Sequence, residues 1–235
     1  MNNKKKIMPI LPIIISVVCM VVLVALDQAS KFIMVSMFEM GEYIGKVDLK
    51  TLEPIVDALK PIDVIPGVLR FTFVLNDGAA FGSLDNARWI FMILSTVAIV
   101  AILVFMFWKK PQNPLLLVAL TLITGGGIGN MIDRVWLGYV VDFIDFCALP
   151  KIWMWVFNVA DSCVTVGAGL LALWMIMDFI RDVKTKKTVD AVIEGATHDE
   201  TASGEENDGS EETFDFDEVA WEEADNWVDD QLLLR

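Results

Sequence analysis

Among its 235 residues the chain has one histidine, three cysteines and two tyrosines. A single histidine, His198, sits far down an acidic segment, so no histidine-based triad can be assembled and no Ser or Cys has an evident base. Cys19, Cys147 and Cys163 are odd in number and lack zinc-ligand spacing, which removes a disulfide framework and a metal centre. No Gly-Lys-Ser or Gly-Lys-Thr follows the glycines at 125–129, which argues against a phosphate cradle and for close helix packing. Bases are also scarce, at 18 against 32 acids, so a basic nucleic-acid face is unsupported.

The acids are unevenly placed. Residues 188–235 hold 17 of the 32 and only Arg235 as a base, whereas residues 1–187 carry 17 bases and 15 acids. The formal charge of −14 therefore describes the tail and not the body. The tail is dominated by Asp, Glu, Gly, Ser and Thr as far as Phe214, a composition that predicts disorder. We expect a body over 1–187 and an acidic tail over 188–235, whose own partner the sequence does not name.

Hydrophobic residues make up 55% of the chain and concentrate in four runs, at 7–26, 89–108, 115–132 and about 153–177. About 20 apolar residues at 1.5 Å rise span a hydrocarbon core of about 30 Å, and runs this long cross a bilayer as helices. Lys4, Lys5 and Lys6 precede the first run, Lys109 and Lys110 join the second to the third, and Arg181, Lys184, Lys186 and Lys187 follow the fourth. The positive-inside rule makes these segments cytoplasmic, with both termini inside and the connections at 27–88 and 133–152 outside. The first run is long for a signal peptide and no small-x-small site follows it, so it is expected to remain as an anchor.

The long outer connection contains a strand signal. Residues 67–75 are rich in β-branched and aromatic side chains and lie between Pro66-Gly67 and Asn76-Asp77-Gly78. A small extracytoplasmic sheet on the helix ends is expected. Residues 38–63 either hold a surface helix or are an insertion.

Ionisable groups at membrane depth cost about 2.5–3.5 kcal/mol each on insertion scales, so they need partners or roles. Here they gather at one end of the bundle. Asp27 and Lys31 close the first helix, and Asn130, Asp133 and Arg134 close the third. Asp142 follows in the outer loop, while Asn158 and Asp161 open the fourth helix. Plainer readings exist for some. Asp27 and Lys31 also fit an i,i+4 pair on a continuing helix, and Asn76-Asp77-Gly78 fits a turn. Asp161 is hardest to dismiss, lying in an apolar helix with no base nearby in sequence. Two carboxyl groups sharing one proton can hydrolyse an amide without metal or cofactor. Asp142 and Asp161 are the better pair, with Asp145 as the spare partner.

These residues resemble those of the bacterial lipoprotein signal peptidases, or signal peptidase II. The resemblance rests on four ordered blocks: Asp27-Gln28-Ala29-Ser30-Lys31; Asn76-Asp77-Gly78-Ala79-Ala80-Phe81-Gly82; Gly129-Asn130 through Asp133-Arg134 to Asp142-Phe143; and Phe157-Asn158-Val159-Ala160-Asp161. It covers roughly residues 7–180. It implies an inner-membrane aspartic peptidase of four transmembrane helices with an extracytoplasmic β-cradle, needing no cofactor. Such enzymes remove signal peptides from diacylglyceryl-modified prolipoproteins, cutting before the lipidated cysteine. The implied dyad is Asp142 and Asp161. The implied dyad-supporting or substrate-holding residues are Asp27, Lys31, Asn76, Gly78, Asn130, Asp133, Arg134, Asn158 and Ala160. Prolipoproteins and membrane lipids are the expected partners, and a monomer the expected state.

The chain departs from the family pattern in three places. Trp153-Met154-Trp155-Val156 stands where Trp-Pro is common, the first outer connection is longer through 41–66, and the acidic extension is extra. Two other classes compete. A small transporter would spread polar groups through the midplane or show an internal repeat, and neither is visible. A scaffold with an acidic recruiting tail accounts for the tail and leaves the polar cluster without a role.

Overall fold

A computed structural model describes residues 10–47, 49–77, 87–149 and 155–202. The elements are α1 (Leu11–Met37), a 3-10 turn (Met40–Glu42), α2 (Leu49–Asp57), β1 (Ile62–Ile65), β2 (Leu69–Asn76), α3 (Ala87–Lys109), α4 (Pro114–Trp136), β3 (Val140–Phe146), β4 (Val156–Phe157) and α5 (Val159–Ala202). The chain divides into two compact units, Met1–Asp182 and Val183–Arg235. The four long helices are apolar enough to cross a membrane, with mean hydropathies of 1.9–2.4. Their exposed side chains include Val21, Val97 and Phe179, each more than 60% accessible, which lipid can cover at no cost and water cannot. The chain is a multi-pass membrane protein.

Several boundaries differ from expectation. The first helix does not end at Asp27 but continues to Met37, because Asp27 and Lys31 neutralise each other within it. Residues 38–63 hold α2 and the first half of β1, so the surface helix forms. The fourth helix starts at Val159, later than the apolar run at 153, because Val156 and Phe157 join the sheet first. It also continues to Ala202, which makes residues 188–202 of the acidic segment helical. Residues 203–235, Gly78 and Lys4 to Lys6 lie outside the described residues.

Within the first unit α4 is the central helix, with 56% of its span buried against 6% for α3. Successive residues turn 100° around a helix, so adjacent glycines face different neighbours. Gly125 faces Leu23 of α1, Gly126 the Ala160 carbonyl of α5, and Gly127 Ile99 of α3. One turn on, a Cβ at Gly129 would stand 2.7 Å from Asp27 Oδ2. A side chain at 126 or 129 would hold the helices apart, which bears out the packing role read for this segment.

The sheet has the antiparallel order β1-β2-β3-β4 and covers one end of the bundle. Beneath it Phe38, Met40, Leu52, Phe73, Val141 and Phe143 form a small core that fixes the sheet to α1 and α2. The register between β2 and β3 shifts between Phe71↔Ile144 and Val74↔Asp142. The extra residue matters, because side chains alternate faces along a strand. After the shift Asn76 pairs with Val140 and shares the face of Asp142; with an unbroken register it would fall on the other face.

Candidate active site

Asn158, Ala160 and Asp161 come together through the start of α5. Asn158 is the cap residue and Asp161 the third helical residue, and they bond reciprocally. Asp161 N–H donates to Asn158 Oδ1 at 2.8 Å, and Asn158 N–H donates to Asp161 Oδ2 at 3.2 Å. This is a capping box, with Asn and Asp in place of Ser and Glu. Ala160 N–H, a further free donor of that first turn, gives its bond to Asp27 Oδ1 at 3.0 Å. The local rule that starts the helix therefore also fixes the Asp161 carboxylate.

Asp142 arrives from β3 and is 1% exposed. Its Oδ1 accepts from Asn158 Nδ2 at 2.7 Å and its Oδ2 from Asn76 Nδ2 at 2.9 Å. Burial and, next, the neighbouring Asp161 charge push its carboxyl up to about 7. The bonds from Asn76 and Asn158 and the Lys31 charge pull the other way. Asn158 thus bonds both aspartates, and Asn130 adds a second link by donating Nδ2 to Asp161 Oδ1 at 2.7 Å.

Behind the pair lies a buried ion cluster. Lys31 Nζ reaches Asp27 Oδ2 at 2.8 Å, Asp133 Oδ2 at 2.9 Å and Asn130 Oδ1 at 3.1 Å, so each of its three protons has an acceptor. Asp133 Oδ2 also accepts the Val141 N–H at 3.2 Å, which ties α4 to the strand carrying Asp142. Arg134 donates Nη1 to the Asn130 carbonyl at 3.4 Å, while its buried Nε has no protein partner among the described residues.

The structure thus brings together Asp27, Lys31, Asn76, Asn130, Asp133, Arg134, Asp142, Asn158, Ala160 and Asp161. Asp145 is not with them. Three positions beyond Asp142 it points to the other face of the strand, where Arg70 Nε donates to it at 2.6 Å and Thr72 at 3.0 Å. Gln28 was not singled out from the sequence. Its Nε2 reaches Asp27 Oδ2, the Gly129 carbonyl and Asp133 Oδ1 at 3.0–3.2 Å, bracing α1 against α4. A polar residue beside Asp27 in an apolar run was the available signal.

Two aspartates meet on one asparagine at the end of a membrane bundle, an arrangement suited to chemistry by paired carboxyl groups. A family model described as signal peptidase (SPase) II matches residues 19–177. The lipoprotein signal peptidase of Symbiobacterium thermophilum is 37% identical over 167 residues, covering 69% of this chain and 95% of the relative. That of Brevibacillus brevis is 36% identical and covers 67% and 91% respectively. Two solved structures of bacterial membrane enzymes, both 31% identical, superpose with TM-scores of 0.56 and 0.57. They cover 70% and 69% of this chain and 88% and 93% of their own. The chain belongs to the signal peptidase II family and is a membrane-bound peptidase.

Proposed function

We propose that this peptidase removes signal peptides from diacylglyceryl-modified prolipoproteins, cutting before the lipidated cysteine, with Asp142 and Asp161 as its catalytic dyad. The observation that carries the dyad is the single Asn158 side chain and backbone bonded to both carboxyl groups. Two carboxyls bonded to one residue can act as a pair that shares a proton. The ionised one takes a proton from water while the protonated one polarises the scissile carbonyl. Asn130, Asn76 and Asn158 orient the pair. Asp27, Lys31 and Asp133 brace those amides, and Gly78 belongs with them by its place in the motif. Arg134 Nε, buried and without a protein partner among the described residues, is a donor left for substrate, since a buried donor without a bond is costly.

On this reading the sheet end is extracytoplasmic and both termini are cytoplasmic. Lys109 at the opposite end of α3 supports that orientation, while the exposed Trp89, Trp136 and Trp155 at the sheet end and Trp108 at the other suit the two membrane–water boundaries. Asn130 lies six residues from Trp136 along α4, about 9 Å at 1.5 Å per residue. The dyad would then sit just below the headgroups, where a substrate's acyl chains stay in lipid while its peptide bond meets water. The peptidase domain is 1–187, acting as a monomer among lipids, with 188–235 as a cytoplasmic appendage. The test is incubation of the purified protein in detergent with a diacylated prolipoprotein and with its unacylated form. Cleavage of the acylated form alone is expected, and equal cleavage of both would remove the lipid from the recognition.

A further inference from the structure

The hydrogen bonds around the dyad run in one direction. Lys31 can only donate, so Asn130 must turn its oxygen towards Nζ, 3.1 Å away. The same oxygen accepts from Asn158 Nδ2 at 2.9 Å. With its oxygen committed, Asn130 can offer Asp161 only its NH2 group, and does so at 2.7 Å. Asn158 is held likewise, its oxygen taken by the Asp161 N–H and its NH2 directed at Asn130 and Asp142.

The two aspartates differ in what else surrounds them. Asp161 lies in the first turn of α5, where it accepts one backbone N–H and one amide N–H at the positive end of the helix dipole. Asp142 is on a strand, accepts from two side-chain amides, and is nearly inaccessible. Among the described residues, the other charged groups around the pair are Asp27 and Lys31 from α1 and Asp133 and Arg134 from α4. From β2 the neighbour is the uncharged Asn76.

Building on the dyad reading, we infer that Lys31 fixes the sense of the Asn130 and Asn158 amides so that both offer N–H to the pair, and that the helix N-terminus at Asp161 against the burial of Asp142 on its strand makes Asp161 the base and Asp142 the acid. In the first step a water proton passes to Asp161 and the water oxygen bonds to the scissile carbonyl carbon. The carbonyl oxygen takes its proton from Asp142, giving a neutral gem-diol. On collapse the C–N bond breaks, the leaving nitrogen takes the proton from Asp161, and a diol hydroxyl returns a proton to Asp142. Both carboxyls end as they began. The raised carboxyl of Asp142 agrees with its place as the acid. Lys31 is a positioning residue in this scheme, acting through Asn130.

The test is the pH profile of kcat/KM for the full-length protein on a diacylated prolipoprotein. The profile is a bell for the pair, its ascending limb set by loss of the first proton and its descending limb by loss of the second, which the inference puts on Asp142. Asn76→Leu removes a donor that favours ionised Asp142, so the descending limb should move up by about one pH unit and the ascending limb should stay. Lys31→Met frees the Asn130 amide and should displace the ascending limb as well. Asn76→Leu moving the ascending limb alone would exchange the two roles and overturn the inference. Lys31→Met with lower turnover but both limbs in place would reduce Lys31 to a structural brace and overturn its part. If Lys31→Met does not accumulate, Asn76→Leu and the milder Asn76→Ser carry the test. Activity surviving in Asp142→Asn or Asp161→Asn would sink the dyad itself, a separate outcome from misplaced limbs.

Discussion

Gly129→Ala probes the joint on which the site depends. The new methyl would meet Asp27 Oδ2 at 2.7 Å, Asp27 Cγ at 3.1 Å and Ala160 Cβ at 3.3 Å. No neighbour can yield cheaply. Asp27 is held by Lys31, Gln28 and the Ala160 N–H, and Ala160 is fixed in the first turn of α5. Replacing a mid-helix glycine by alanine gains about 0.5–1 kcal/mol in conformational terms. Overpacking a tight site costs about 1–3 kcal/mol, so the clash should win and leave a net loss of about 1–2 kcal/mol. The larger effect should be on catalysis, because pushing α4 from α1 and α5 opens the Asn130–Asp161 contact, and misplacement by about 1 Å can cost about 100-fold in rate. Gly169→Ala is the control. It lies in α5 with nothing within 4 Å of its would-be Cβ, so stability and turnover should match or slightly exceed those of the parent. Thermal unfolding in detergent and initial rates on a diacylated prolipoprotein measure both. Parental stability and rate in Gly129→Ala would refute the packing argument, as would equal losses in the two variants.

The pH dependence of stability should carry the mark of Asp142. Its folded carboxyl is raised from 3.8 to about 7, so the folded state keeps a proton the unfolded chain has lost, and stability should fall as pH rises towards about 7 and level off above it. Asp142→Asn should flatten this slope in unfolding curves taken between pH 5 and 9. Asp145→Asn should keep most activity and lose no more than about 1 kcal/mol, since its partner Arg70 has a 41% exposed side chain; activity assays with unfolding curves check both. Truncation after Lys187 should leave membrane insertion and cleavage largely intact, measured by fractionation and by peptidase assay.

The helices were legible because charge-free apolar runs of this length admit few other structures. The position of helix ends was less so. Asp27 and Lys31 read as a terminus by their charge alone, whereas four-residue spacing lets them satisfy each other inside a continuing helix. Asn158 and Asp161 were legible as polar residues opening a helix, and the rule that makes them a capping pair is local in sequence. Convergence of Asn76 on Asp142 was not readable, since it depends on a one-residue shift between strands 66 positions apart in the chain. The same holds for Arg70 and Asp145, which become neighbours only once the register is set. Long-range pairing of this kind leaves no periodic trace in a single sequence.

The most direct measurement is turnover of a diacylated prolipoprotein by purified Asp142→Asn, Asp161→Asn and the double variant. Asn keeps the size of Asp and removes the titratable proton. If the two aspartates perform one step together, each single variant should be inactive while remaining folded in the membrane, and the double variant should be little worse than either. A single variant that still cleaves at a substantial fraction of the parental rate would contradict the dyad.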